Sequence, residues 1–214
     1  MISLPLVIWD TLYVLLRPHT MPGGSIHAPF WKPYELYGRV DYIYGWPAWN
    51  ERNGFTAAQG ALNAVETAGY LLYLWIVLEY GSSPTSSSAV TSLEQNDKGD
   101  SKGAPEWFAS VPVLRWLLAP RQVKGREAAW AVLLGVSISV MTLSKTVLYW
   151  LQEYFGGYRN IGHNDAWSLV VLWVIPNGAW IVFPIYMTYV FGGEILDGLE
   201  AASLAGEELE RKEQ

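Results

Sequence analysis

The chain contains no cysteine, few charged residues and no Asn-x-Ser/Thr triplet. Without cysteine there is neither a disulfide nor a thiolate metal site. Charged residues make up only 16% of the 214 positions, too few to clothe an ordinary soluble domain. Without an Asn-x-Ser/Thr acceptor, a glycosylated lumenal loop is not expected. Basic surface is lacking too. The net charge is −6, and the acidic residues gather in one linker and in the carboxyl-terminal tail, which sets nucleic acid aside as a partner.

What is abundant is apolar and aromatic. The sequence is 51% hydrophobic and carries 12 Trp and 13 Tyr, a composition that reads as a membrane protein. About 20 mostly apolar residues cross a hydrocarbon core roughly 30 Å thick. Phe55–Glu79, Ala128–Leu151 and Ala166–Phe191 meet that length, and Met1–Leu16 is a shorter apolar run read as a marginal span. The expected fold is therefore all-α: a polytopic transmembrane bundle of about four spans.

Between Phe55–Glu79 and Ala128–Leu151 lies Gly81–Gly103, rich in Ser, Gly and charge, which reads as a flexible insertion. Pro105–Pro120 follows, with an amphipathic pattern too short to span, expected to lie in the interface. The membrane domain thus covers 1–195 and an acidic tail 196–214, with no internal repeat. With four spans, Lys98, Lys102, Arg115, Arg121, Lys124, Arg126, Arg211 and Lys212 fall on one side, and Arg17, Lys32, Arg39, Arg52 and Arg159 on the other. The positive-inside bias then places both termini in the cytoplasm. The dibasic Arg211-Lys212 near the carboxyl end fits endoplasmic-reticulum retrieval.

The spans carry polar residues at helical spacing. Gln59, Asn63, Glu66 and Tyr70 follow i, i+4, i+7, i+11 on one face, and Thr142, Thr146, Tyr149 and Glu153 repeat the pattern, with Lys145 beside them. Trp173, Asn177, Trp180 and Pro184 share a face in the last span, and Asp10 lies in the first run. A charge at the bilayer centre costs about 2.5–3.5 kcal/mol, so such residues usually face a bundle interior or a wet cavity. Gln59, Asn63 and Thr142 could instead only join helix to helix, at about 0.6 kcal/mol apiece. Glu153 reads equally as an interfacial anchor, and Lys145 as a partner of Glu153 or Asp10.

Pro176 lacks an N–H and clashes with the carbonyl of Leu172, so a kink that frees a backbone acceptor is expected there. Asn177 adds donor and acceptor groups, and Trp173 and Trp180 offer π faces to positive charge within about 6 Å. A carboxylic acid kept neutral in apolar surroundings can donate a proton. An acid facing tryptophans and an amide suits proton addition to an alkene and protection of the resulting carbocation. The residues proposed to act on substrate are Glu66, Asp10, Asn177 and Trp180. Gln59, Asn63, Tyr70, Thr146, Tyr149 and Trp173 would line the binding site.

The runs "NGFTAAQGALNAVETAGYLLYLW" (Asn53–Trp75), "VLYWLQEY" (Val147–Tyr154), "GGYRNIGHNDAW" (Gly156–Trp167) and "NGAWIVFP" (Asn177–Pro184) resemble the emopamil-binding-protein, or EXPERA-domain, family over roughly residues 1–195. That resemblance implies a helical endoplasmic-reticulum membrane protein similar to sterol Δ8–Δ7 isomerase. Such an enzyme protonates a ring double bond and removes a proton elsewhere, with no metal or redox cofactor. It also implies kinship to sigma-2 receptor and lipid-trafficking relatives. By position, Glu66 resembles the isomerase's intramembrane acid, and Asn177 and Trp180 its asparagine and cation-stabilising tryptophan. Asp10 falls on the glutamate of a His-x-x-x-Glu pair whose histidine position is Leu6, and the chain starts where the family's second helix would. With half of that pair replaced, Asp10 with Glu66, or else His163, would complete the proton handling.

Two functions follow: an isomerase or cyclase-like enzyme acting on a polycyclic sterol- or terpenoid-type lipid, or a lipid-binding or trafficking protein that keeps the pocket without the proton relay. The partners are a hydrophobic lipid substrate and membrane lipids. Gly135, Ala64 and Ala68 are small enough to let a second copy approach as a homodimer.

Overall fold

Helices form where the apolar runs predict them, because a chain in hydrocarbon must satisfy its backbone polar groups internally. The computed structural model describes residues 3–82 and 121–213. Its elements are α1 (Ser3–Leu15), α2 (Pro33–Val40), α3 (Trp46–Asn50), α4 (Phe55–Tyr80), α5 (Gly125–Phe155), α6 (Ala166–Leu169), a π-helical turn (Val170–Val174) and α7 (Ile175–Glu213). Among the described residues, three helical stretches are long and apolar enough to cross a bilayer: α4, α5 and the continuous stretch that begins at Ala166. This is an all-α membrane protein, with outward Leu62, Val65, Leu148 and Val182 exposed for lipid. The linker beyond Ser82 and the expected interfacial helix Pro105–Pro120 lie outside the described residues.

Among the described residues three helices are long enough to span by themselves, and α1 is the short, marginal one. At about 1.5 Å per residue, the 13 residues of α1 reach only about 20 Å. Pro18 explains the stop, since it lacks an N–H and disfavours helical geometry in the residue before it. α1 nevertheless joins the bundle. A Cβ on Gly60 of α4 would sit 3.0 Å from Val14, so glycine lets the two helices close on each other.

Arg17 is not a solvent-facing cation. It is buried, with Nη2 donating to Thr56 Oγ1 at 2.5 Å, Nη1 to the Ile43 carbonyl at 3.3 Å and Nε to the Val14 carbonyl at 3.2 Å. It pins the end of α1 to the α2–α3 connection and to the start of α4. Above it Tyr13 stacks on Tyr34 at 3.6 Å, and Met21 completes that core.

The last helix widens where a kink is expected. Ile175 N–H bonds back to the Val170 carbonyl, one residue farther than in an α-helix, just before Pro176. The wide turn accommodates the proline, and the Asn177 amide donates to the Trp173 carbonyl at 2.8 Å. α6 begins cleanly because Asp165 accepts from the Trp167 and Ser168 amides at 3.0 and 3.1 Å. α7 then continues as helix into the tail, where Glu200, Glu207, Glu208 and Glu210 are exposed.

Gly135 is used within the chain. A Cβ there would lie 2.5 Å from the Phe191 ring of α7, so this glycine serves internal packing rather than a second copy. Ala64 and Ala68 stay exposed.

The contacts divide the chain into a unit of residues 1–71 with 133–214 and a smaller unit of residues 72–132. In the smaller one, Ser82 and Gln122 exchange two backbone hydrogen bonds at 3.1 and 2.9 Å, which brings the ends of α4 and α5 together. Everything that follows concerns the larger unit.

Candidate functional site

A cavity of about 420 Å³ opens among α1, α2, α4, α5 and the last helix. That is within the range that takes a small lipid or drug-sized ligand. Its wall is mostly apolar and aromatic, with Leu6, Trp9, Leu36, Leu172, Pro176 and Trp180 among the lining residues. The polar lining comes from Asp10, Gln59, Asn63, Thr142, Lys145, Thr146, Asn177 and four tyrosines.

Asp10 is the carboxylate at the wall. Its Oδ1 accepts from the Tyr34 hydroxyl at 2.5 Å and its Oδ2 from the Asn63 amide at 3.1 Å. The Asn63 carbonyl oxygen accepts in turn from the Lys145 ammonium. Lys145 also bonds Glu66 Oε2 at 2.8 Å, and Thr142 donates to the same oxygen at 3.0 Å. A continuous polar chain thus runs Tyr34, Asp10, Asn63, Lys145, Glu66, Thr142. It explains the spacing on α4 and α5: the two polar stripes face each other, and Gln59 closes the seam by donating to the Lys145 carbonyl at 3.1 Å.

Glu66 is 1% exposed and does not line the cavity, because Lys145 and Asn63 stand at the wall instead. Lys145 pairs with Glu66, not with Glu153 or Asp10 as the spacing allowed. The reason is register: positions 66 and 145 meet across the two helices where both stripes are buried. Tyr70 also lies off the wall, hydrogen-bonded to Thr142.

Trp173 too is buried behind the cavity. Its indole Nε1 donates to Asp41 Oδ2 at 2.8 Å and to the Tyr149 oxygen at 3.2 Å. Tyr149 lines the cavity and donates to the same Asp41 oxygen, and the Ile43 amide donates to Oδ1 at 3.1 Å. Burial outweighs these donors and pushes the Asp41 carboxyl up to about 6. Asp41, fully buried in the α2–α3 connection, is a site residue that sequence spacing misses. It belongs to no helical stripe. The only signal is an aspartate set among tyrosines in "YELYGRVDYIY" (Tyr34–Tyr44), which also supplies the wall residues Tyr34, Tyr37 and Tyr44.

Because the folded-state value of Asp41 is raised, its contribution favours the fold below about pH 4 and is lost as pH rises through about 6. The difference is of order 3 kcal/mol for a two-unit shift. Thermal melts between pH 4 and 7 should show stability falling over this window, and Asp41→Asn should flatten the fall.

Glu153 and His163 stand apart from the cavity. Glu153 is buried and accepts from the Asn160 side chain at 2.6 Å and the Asn160 amide at 3.3 Å, so it clamps the loop after α5 rather than anchoring at the interface. His163 stacks on Tyr42 at 3.8 Å, and its Nε2 lies 2.7 Å from the Arg39 carbonyl. Asn177 and Trp180 do line the wall, and Asn177 also donates to the Tyr37 hydroxyl at 3.4 Å.

Comparison with protein-family models, with curated proteins and with solved structures finds no match to this chain.

Proposed function

We propose that the protein is an integral membrane isomerase that shifts a double bond in a polycyclic sterol- or terpenoid-type lipid by adding one proton and removing another through a carbocation. The observation that carries this reading is Asp10, a carboxylate held by two donors at the wall of a largely apolar and aromatic cavity. The acid gives its proton to the alkene, and the carboxylate left behind is stabilised by Tyr34 and Asn63. Trp180 faces the cation, an interaction of about 0.5–2 kcal/mol. Glu66 neutralises the Lys145 ammonium, which would otherwise repel the same cation. Asn177 orients the bound lipid. The resemblance to the emopamil-binding-protein family supports the same chemistry.

A second reading, a lipid-binding or trafficking protein, draws on Leu6. It lines the cavity at the position where the family's pair has histidine. The orientation with both termini in the cytoplasm and residence in the endoplasmic reticulum are part of the proposal and rest on the basic-residue bias and Arg211-Lys212.

Complementation of cells lacking sterol Δ8–Δ7 isomerase, with sterols profiled by mass spectrometry, tests the two readings. The wild type is expected to restore Δ7 sterols. Trp180→Ala is expected to do so at a rate about 2- to 30-fold lower, the factor that the cation–π energy corresponds to. Lipid binding without any restored product would favour the second reading.

A further inference from the structure

An isomerisation that begins with proton donation at Asp10 needs a second group to take a proton from the neighbouring carbon. Tyr149 is on the cavity wall, and its hydroxyl donates to the buried carboxylate of Asp41. Trp173 donates to that same carboxylate oxygen and to the Tyr149 oxygen, which holds the tyrosine and the aspartate in register.

A phenol alone is a feeble base, because taking a proton would leave it cationic. Backed by a carboxylate, it can take one proton while giving up its own. The Ile43 amide holds the other Asp41 oxygen, so the carboxylate has a fixed orientation.

We infer that Tyr149, acting with Asp41 behind it, takes the second proton of the reaction, an inference that rests on the isomerase reading above. In this step the C–H bond next to the cation breaks and its electron pair forms the new double bond. The proton passes to Tyr149 Oη as the Tyr149 proton passes to Asp41 Oδ2. Tyrosine stays neutral throughout, and Asp41 becomes the carboxylic acid. Asp41 then releases a proton to water and Asp10 takes one from water, so the cycle consumes nothing.

Asp41 acts through Tyr149 and does not line the cavity, so it is a positioning residue. The titratable groups that face it are Tyr37, Tyr44, Tyr149 and Glu153. The step needs Asp41 ionised, so turnover should climb as pH rises through about 6.

The test uses the full-length protein in lipid nanodiscs, a Δ8-unsaturated sterol as substrate and a ring-ammonium sterol as a mimic of the cation. Tyr149→Phe is expected to lower kcat about 100-fold or more. KM and affinity for the ammonium mimic should stay within about threefold, since the ring remains. Asp41→Asn should lose a similar factor together with the rise near pH 6, and the double variant should be no slower than either single one, as expected of residues acting as a unit. Tyr149→Phe turning over within about threefold of wild type overturns the inference while the isomerase reading stands. Should that variant fail to fold, a wild-type rate that is flat between pH 5 and 7 overturns it equally. A wild type that binds the ammonium mimic but never converts the sterol overturns this inference and the isomerase reading together.

Discussion

Asp10→Asn is expected to lower turnover of a Δ8-unsaturated sterol by at least about 100-fold, the factor that a positioned acid usually supplies. Asparagine keeps the shape and an acceptor for Tyr34, but it has no acidic proton to give. The substitution removes one charge from a bonded chain, so the fold should survive, although the Asn63 amide loses the oxygen it donates to. Product formation by mass spectrometry and binding of a ring-ammonium sterol should be measured on the same preparation. Retained binding with lost turnover is the expected pair of results. Undiminished turnover would remove Asp10 from the chemistry and leave the isomerase to be assigned another acid.

The second large effect concerns the buried ion pair. Glu66→Gln leaves the Lys145 ammonium, which is only 11% exposed, without its counter-charge. Breaking a buried pair by removing one partner costs about 3–5 kcal/mol, and the lower end applies here because Lys145 reaches the cavity wall. For a chain of this size that corresponds to a drop of about 6–12 °C in the melting midpoint. Lys145→Met should be similarly harmful, since it strands the carboxylate. The double variant Glu66→Gln/Lys145→Met should recover most of the loss, because neither charge is then buried alone.

The double variant also separates stability from chemistry. If Glu66 matters only by cancelling the ammonium next to the cation, the folded double variant keeps turnover within about tenfold of wild type. If turnover stays lost, Glu66 takes part in moving protons along the Asp10–Asn63–Lys145 chain. A Glu66→Gln variant that melts like wild type and turns over normally would show that the pair contributes to neither.

The amino-acid sequence by itself determined the class of the fold, because hydrophobicity over 20 residues and the 3.6-residue period are local properties. The polar stripes Gln59/Asn63/Glu66 and Thr142/Thr146/Tyr149 were legible for the same reason, since a helix puts such positions on one face wherever it is placed. So was the disturbance at Pro176, where the chain forms a wide π turn. Register between helices was not legible. Which carboxylate meets Lys145, and whether Glu66 or Asp10 reaches the cavity, depends on how α1, α4 and α5 slide and rotate against one another, and no single stretch encodes that.

Asp41 shows the limit most plainly. It sits in a connection with no periodicity, and its partners Tyr149 and Trp173 are 108 and 132 residues away. Its burial and its three donors exist only once the α2–α3 connection has folded against α5 and the last helix. Spacing along a chain reports which residues share a face. Only tertiary structure decides which faces meet, because long-range contacts are chosen by packing and by the need to pair every buried polar group.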